Sequence, residues 1–135
     1  EQFGTPCYTD IIKDCGPMGG IYTGLQNSST SKNLVLSCDI PFISSDVLLN
    51  LINKTGKEDV LIAAYENEVQ PLCAVYDKNC SDFFKKKINM GSLKMKEATK
   101  ELNTVQINFT QSEQNIANSF LNINTPDELI KYQLQ

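Results

Sequence analysis

Apolar and polar positions along the chain follow two periods, which predict a mixture of strands and helices. Short apolar runs or strict alternation predict strands at 34–36, 60–65, 71–76 and 105–109. Apolar residues at helical spacing predict helices over 44–53, 79–88, 92–102 and 125–134. This order of elements predicts an α/β fold with a mixed, mostly parallel sheet and helices on both of its faces.

The second and third predicted strands are separated by a very short connection. Glu66-Asn67-Glu68 is the polar turn between the apolar runs 60–65 and 71–76. A parallel crossover needs a dozen or more residues, so the sequence predicts an antiparallel pair here.

A carboxylate closely follows the first predicted strand. Leu34-Val35-Leu36 is a continuous apolar run, which predicts a parallel strand buried on both faces, and Asp39 and Pro41 come after it. Ligands of open α/β sheets bind beyond the carboxyl ends of strands. Mg²⁺ takes oxygen ligands and often bridges substrate phosphates, so Asp39 is a candidate metal ligand. The alternative is that Asp39 only ends the strand or caps the helix that follows.

A glycine-rich segment precedes that strand. It reads Cys15-Gly16-Pro17-Met18-Gly19-Gly20, and glycines allow the backbone to approach a ligand closely. A helix that starts near Gly19 or Gly20 would point free N–H groups at an anion or at the polar edge of a base. The alternative is a turn before a glycine-rich helix, because the segment has neither GxGxxG nor the lysine of a P-loop.

Two asparagines, Asn122 and Asn124, alternate just before the last predicted helix. Thr125 fits the N-cap of that helix and Pro126 fits its first position. Capping accounts for the local structure and leaves the alternating asparagines unexplained.

Composition narrows the chemistry that the chain can perform. Its 135 residues, which the length prior predicts to be one domain, carry a net charge of −4 and contain no histidine and no arginine. The net charge argues against a general nucleic-acid surface, and the missing residue types exclude histidine catalysis and arginine clamps. Five cysteines without a CxxC pair argue against zinc and fit a reducing compartment, the cytoplasm. Two of them, Cys38 and Cys73, are expected to be small buried hydrophobes. No signal peptide or membrane span is visible, so no membrane partner is predicted.

In this order and spacing, the three segments together resemble the molybdenum cofactor guanylyltransferase family, within the wider group of Rossmann-like nucleotidyltransferases. The matching stretches are Gly16 to Ile21, Cys38 to Phe42 and Phe120 to Leu129. Gln70-Pro71-Leu72 is similar to a His-Pro stretch of the family, with Gln70 in place of the histidine. The resemblance runs from about residue 10 to about residue 132.

The resemblance implies a three-layer Rossmann-like nucleotidyltransferase fold that transfers GMP from GTP to molybdenum-molybdopterin and releases pyrophosphate, with Mg²⁺ as cofactor. Molybdoenzymes or other cofactor-biosynthesis proteins are implied as further partners. It implies Mg²⁺ binding by Asp39 and a catalytic strand end at Asn122 and Asn124. It implies GTP contacts for Asp10, Gly16, Pro17 and Gly19, and a contact between the molybdopterin phosphate and Lys94.

One part of the family pattern has no counterpart in residues 1–135. The family opens with a strand and a glycine-rich loop of the type Leu-Ala-Gly-Gly, followed by a lysine, which together hold the triphosphate. The domain is therefore expected to lack its N-terminal part, to have no appreciable transferase activity alone, and to expose the 34–36 strand to self-association. A non-catalytic fragment or binding module of the same fold stays open, as does a cytidylyl- or sugar-phosphate nucleotidyltransferase. The Asn-x-Asn and Gly-Pro segments argue against the last of these.

Overall fold

The computed structural model describes residues 4–111, 116 and 118–133. The strands are β1 (Lys32–Leu36), β2 (Val60–Tyr65), β3 (Glu68–Asp77) and β4 (Thr104–Phe109). The helices are α1 (Gly16–Asn27), α2 (Ser45–Lys54), α3 (Cys80–Asn89), α4 (Met95–Lys100) and α5 (Pro126–Gln133). The predicted α/β class is confirmed. No helix in these ranges combines the length and the hydropathy needed to cross a bilayer.

The four strands form one mixed sheet in the order β1-β3-β2-β4. β3 is antiparallel to both of its neighbours, whereas β2 and β4 are parallel. Three strands therefore run in one direction and β3 opposes them. The predicted antiparallel pair of β2 and β3 is confirmed, and its turn places Glu66 and Asn67 at φ 48° and 66°. Left-handed residues at both central positions match the twist of a two-residue hairpin.

β1 differs from the strand that its apolar run predicts. It pairs only with β3, in antiparallel register, because β3 lies between β1 and β2. Within the described residues its other edge has no strand neighbour, so Leu34 and Leu36 remain 37% and 40% exposed. The prediction of a parallel strand buried on both faces is therefore wrong.

The core has two parts, one on each face of the sheet. Alternate side chains of β2 and β3 point to opposite faces, as the period of a strand requires. On one face Val60, Ile62, Ala74 and Tyr76 pack with helices α1, α3 and α4. On the other face Leu61, Ala63, Cys73 and Val75 pack with Val47 and Leu51 of α2. The prediction of helices on both faces is confirmed.

Two helices begin three or more residues away from their predicted starts. α1 begins at Gly16 instead of Gly19 or Gly20, because Pro17 already has the backbone angle that a first helical turn needs. α4 covers Met95–Lys100 instead of 92–102. Its predicted first residues end α3 instead: Gly91 adopts φ 69°, and the Ser92 N–H donates to the Lys87 carbonyl at 3.0 Å.

Candidate functional site

A bulge in β3 shapes the end of the sheet at which β1 finishes. Ile62 of β2 pairs with Ala74, but the next residue, Ala63, pairs with Gln70, so residues 71–73 leave the ladder with β2. Pro71 is tolerated there because a bulge does not require an N–H donor at that position. The bulged segment turns toward β1, where the Ser37 N–H donates to the Leu72 carbonyl at 2.8 Å.

The bulge is held by a buried tyrosine. The Tyr76 hydroxyl donates to the Pro71 carbonyl at 2.8 Å, which satisfies an oxygen that has left the β2 ladder. The intervening residue on this face, Ala74, is small. Burial raises the pKa of Tyr76 far above its ordinary value, so the hydroxyl keeps the proton that it donates. Sequence reasoning missed this residue, and a proline inside a strand pattern was the only signal for the bulge.

Three adjoining cavities surround the bulge, and Leu72 lines all of them. A cavity of ≈ 550 Å³ lies between α1 and β1, with Pro17 and Gly20 on the helix side. A second cavity, of ≈ 430 Å³, lies between Pro17 and the start of α4 at Lys94. The third, of ≈ 130 Å³, lies beyond the end of β1.

The smallest cavity brings together residues that are far apart in sequence. Asp39, Gln70 and Asn122 line it, together with Ser37 and apolar side chains. The Ile123 N–H donates to the Asp39 carbonyl at 2.7 Å, which ties the segment before α5 to the end of β1. Within the described ranges, neither the Asp39 carboxylate nor the Asn122 carboxamide has a hydrogen-bond or ion-pair partner. Both side chains are therefore available to a ligand in this cavity.

The glycine-rich segment is packed tightly against the loop that precedes it. A Cβ on Gly19 would lie 3.0 Å from the Cys15 Cβ and 3.1 Å from the Ile12 carbonyl oxygen, so a larger residue requires these neighbours to shift. The Asp10 carboxylate lies 3.4 Å from the same point and thus beside the positive end of α1. Gly16 starts the helix at φ 53° and lines none of the three cavities. The contacts of Asp10 and Gly19 are with this helix end and not with the Asp39 cavity.

Asn124 has different surroundings from Asn122. Its backbone N–H donates to the Glu128 carboxylate at 2.8 Å. That carboxylate also accepts the Thr125 N–H at 3.3 Å, and the Thr125 hydroxyl accepts the Glu128 N–H at 3.3 Å. This reciprocal pair is a capping box at the start of α5 and supports the prediction of Thr125 as N-cap. Asn124 lines none of the three cavities, so the structure brings only Asn122 to Asp39.

Lys94 lies on the opposite side of the bulge from Asp39. It is the N-cap residue of α4, is exposed, and its Nζ lies 3.3 Å from the Glu97 carboxylate. It lines the ≈ 430 Å³ cavity with Pro17, Pro71 and Leu72. This cavity also holds Lys96 and Glu97, so it carries two positive charges and one negative charge, whereas the Asp39 cavity carries one carboxylate.

A cation in the small cavity would have one charged ligand. Among residues 4–111, 116 and 118–133, no three aspartate, glutamate, cysteine or histidine side chains gather to hold a metal. Mg²⁺ keeps several waters and is usually held by one or two carboxylates together with substrate phosphates. One carboxylate with two carboxamides and a hydroxyl fits such a shared ion and does not fit a site made by the protein alone.

The five cysteines are all free thiols. Cys73 is buried, as expected, and burial raises its pKa to about 11. Cys38 was expected to be buried but is exposed, because it lies in the turn after β1 and lines the ≈ 550 Å³ cavity.

Comparison with known proteins places this geometry in context. The family model of the MobA-like NTP transferase domain matches residues 1–103. A probable molybdenum cofactor guanylyltransferase of Flavobacterium johnsoniae is 40% identical over 122 residues, which cover 89% of this chain and 62% of the relative. One of Clostridium perfringens (strain 13 / Type A) is 34% identical over 133 residues, covering 95% of this chain and 67% of the relative. The chain thus spans roughly two thirds of the length of these relatives.

Two solved structures share the fold. A protein from Aquifex aeolicus superposes with a TM-score of 0.78 at 21% identity, covering 90% of this chain and 63% of that one. The molybdopterin-guanine dinucleotide biosynthesis protein A of Archaeoglobus fulgidus has a TM-score of 0.69 at 28% identity, covering 86% and 60%.

Proposed function

The chain belongs to the family of MobA-like NTP transferase domains. We propose that it acts as a guanylyltransferase domain in molybdenum cofactor synthesis. In this reaction GMP passes from GTP to molybdenum-molybdopterin. One observation carries the proposal: the side chains of Asp39 and Asn122, both without protein partners in the described ranges, line one cavity beyond the end of β1. The free thiols of all five cysteines fit a reducing cytoplasm as the place of the reaction.

The chemistry requires positioning and charge neutralisation more than covalent catalysis. An oxygen of the molybdopterin phosphate attacks the α-phosphorus of GTP, the bond to the β-phosphate oxygen breaks, and pyrophosphate leaves. Mg²⁺ would neutralise the phosphate oxygens, with Asp39 as its carboxylate ligand. The neutral Asn122 would donate a hydrogen bond from its amide N–H group to the same phosphates.

We assign one substrate to each of the other two cavities, on the basis of cavity size and charge. The ≈ 550 Å³ cavity beside α1 has the volume of a typical small-molecule site and borders Pro17, so we assign the guanosine side to it. Asp10, Gly16 and Gly19 shape the helix start beside that cavity. The ≈ 430 Å³ cavity with Lys94 suits the acceptor, because an ammonium group there would meet its phosphate.

An exchange of matched segments tests the proposal. The 133 residues of the Clostridium perfringens relative that match this chain are replaced by residues 1–135, and the unchanged relative is the positive control. The chimera is incubated with GTP, Mg²⁺ and molybdopterin, and mass spectrometry measures the guanine dinucleotide. We expect product from the chimera and a large loss of product in its Asp39→Asn variant.

Other outcomes contradict the proposal in different ways. A chimera that melts cooperatively and uses CTP better than GTP indicates a cytidylyltransferase. A folded chimera that binds GTP and forms no product, beside an active control, indicates a non-catalytic module.

A further inference from the structure

Gln70 lies with Asp39 and Asn122 in the smallest cavity. We propose that Gln70 is a positioning residue of the cation site, whose carboxamide oxygen holds a water of the ion bound at Asp39. This inference rests on the proposed function for the identity of the ion. Its other supports are the bulge, the hydrogen bond of Gln70 and the chemistry of the cavity lining.

The bulge gives Gln70 a fixed place at the cavity. Gln70 is the last residue paired with β2 before the bulge, opposite Ala63. Its Nε2 donates to the Glu68 carbonyl at 3.2 Å, so the strand itself holds the amino side of the carboxamide. The carboxamide oxygen has no partner within the described residues. The carboxamide oxygen of Gln70 is therefore a free acceptor, while one of the two N–H donors of its amino group is already used.

The size and lining of the cavity fit an ion with water. At ≈ 130 Å³ it has space for about four waters, at about 30 Å³ each, and is smaller than a nucleotide site. Its lining offers one carboxylate, two carboxamides and the Ser37 hydroxyl, and among the described lining residues there is no lysine. Such a lining attracts a hard cation and offers no charge to an anion.

Because Gln70 is uncharged, the affinity of the site for a cation should depend on the phosphates of a ligand. With Asp39 as the one charged ligand, the ion is bound weakly until phosphates add their oxygens. A second carboxylate at position 70 would remove that dependence, because it would face the same ion as Asp39.

The test measures Mn²⁺ binding by the 135-residue chain without nucleotide, by electron paramagnetic resonance. We expect Gln70→Glu to bind Mn²⁺ at least about tenfold more tightly than the unchanged chain, and the double variant Asp39→Asn/Gln70→Glu to lose that gain. The matched control is Gln106→Glu, an exposed position on β4 that borders a different cavity. Equal Mn²⁺ affinities for Gln70→Glu and Gln106→Glu would overturn the inference.

A second variant keeps the test decisive if Gln70→Glu does not fold. Gln70→Leu is titrated with Mn²⁺ in the presence of pyrophosphate, beside Gln106→Leu. We expect an approximately fivefold weaker Mn²⁺ affinity for Gln70→Leu alone, and equal affinities would refute the role. An inactive chimera with the expected Mn²⁺ results rejects the proposed function and keeps the cation site. An active chimera with unaltered Mn²⁺ affinities rejects only the role of Gln70.

Discussion

Asp77 and Asp39 lie at opposite ends of the same sheet, and their carboxylates have opposite surroundings. Asp77 ends β3, where its carboxylate pairs with the Lys32 ammonium at 3.2 Å and accepts the Asn79 N–H at 2.9 Å. Its neighbour Asp59 accepts the Asn103 N–H at 3.0 Å. Both carboxylates at this end are therefore already bound by other groups of the protein.

At the other end of the sheet, polar side chains are available to bind a ligand. Asp39, Gln70 and Asn122 meet at one cavity, and the Asp39 carboxylate has no partner in the described part of the chain. Structural polar groups are normally paired by the fold, so an unpaired carboxylate beside a cavity is a candidate for binding. For this reason Asp39 is the candidate ligand of the proposed function, and Asp59 and Asp77 are not.

The largest difference is expected when one carboxylate at each end of the sheet is neutralised. In the chimera, we expect Asp39→Asn to weaken Mg²⁺-dependent GTP binding by about ten- to a hundredfold, because contacts to a charged group contribute about 1.5–3 kcal/mol. Its melting temperature should stay unchanged. Asp77→Asn should lower the free energy of unfolding by about 1–2 kcal/mol and leave binding intact. Calorimetric titration and urea unfolding measure the two effects. Equal destabilisation by both substitutions would remove the distinction between the two ends.

Two glycines of α1 test how tightly this helix is packed beside the site. Gly19→Ala should lower the free energy of unfolding by about 1–3 kcal/mol, because its Cβ would meet the Cys15 side chain and the Ile12 carbonyl. Gly24→Ala in the same helix meets nothing within 4 Å and should raise stability by about 0.5–1 kcal/mol. Thermal melts of both variants measure the difference. If Gly19→Ala is neutral, the close packing of the 10–15 loop on α1 is wrong.

The tyrosine that holds the bulge allows a smaller test. Tyr76→Phe removes the donor to the Pro71 carbonyl and should cost about 1–2 kcal/mol of unfolding free energy. Tyr65→Phe is the matched control, because Tyr65 contacts Phe120 by ring stacking, which the substitution keeps. Urea unfolding compares the two variants. If Tyr76→Phe lost as little unfolding free energy as Tyr65→Phe, the bulge would not depend on the hydrogen bond of Tyr76.

The last effect appears only at alkaline pH, since each end carries one buried thiol. Burial raises the pKa of Cys73, beside the site, and of Cys80, near Asp59 and Asp77, from 9.0 to about 11. The folded protein therefore keeps protons that the unfolded chain releases. This stabilisation is complete below about pH 9 and is lost as the pH rises toward 11. Cys73→Ala and Cys80→Ala should each make the decrease of stability between pH 9 and 11 shallower, as urea unfolding across pH will measure. An unaltered decrease in both variants would assign it to other groups.

The local elements could be predicted from the sequence because their signals are local. β2 has the predicted bounds, 60–65, and α2 covers Ser45–Lys54 against the predicted 44–53, with the Ser44 hydroxyl accepting the Val47 N–H at 3.3 Å. The capping box of α5 was readable from Thr125 and Glu128. It also answers the question of the alternating asparagines, since Asn124 belongs to the cap and Asn122 to the cavity.

The parts that escaped prediction depend on which strands become neighbours. Leu34 and Leu36 are apolar, but the exposure of an edge strand is decided by β3, which comes later in the chain. The length of the bulge is likewise set by two ladders at once, one with β1 and one with β2. The meeting of Asp39 with Asn122 was expected only from the family resemblance, since periodicity relates no residues so far apart.

The position of β1 at the edge also bears on the order in which the molecule assembles and opens. β2 and β3 are joined by a two-residue turn and can pair locally, whereas β1 reaches β3 only after the chain has passed through α2, β2 and that turn. Closing such a long loop costs entropy before its contacts form, so the β1 ladder is expected to form late and to open early. Because Asp39 follows β1 and Gln70 lies on β3, each opening separates them while the rest of the sheet stays intact. Ligand occupancy and the local unfolding of a single strand are thus coupled, and amide exchange in β1 reports on both.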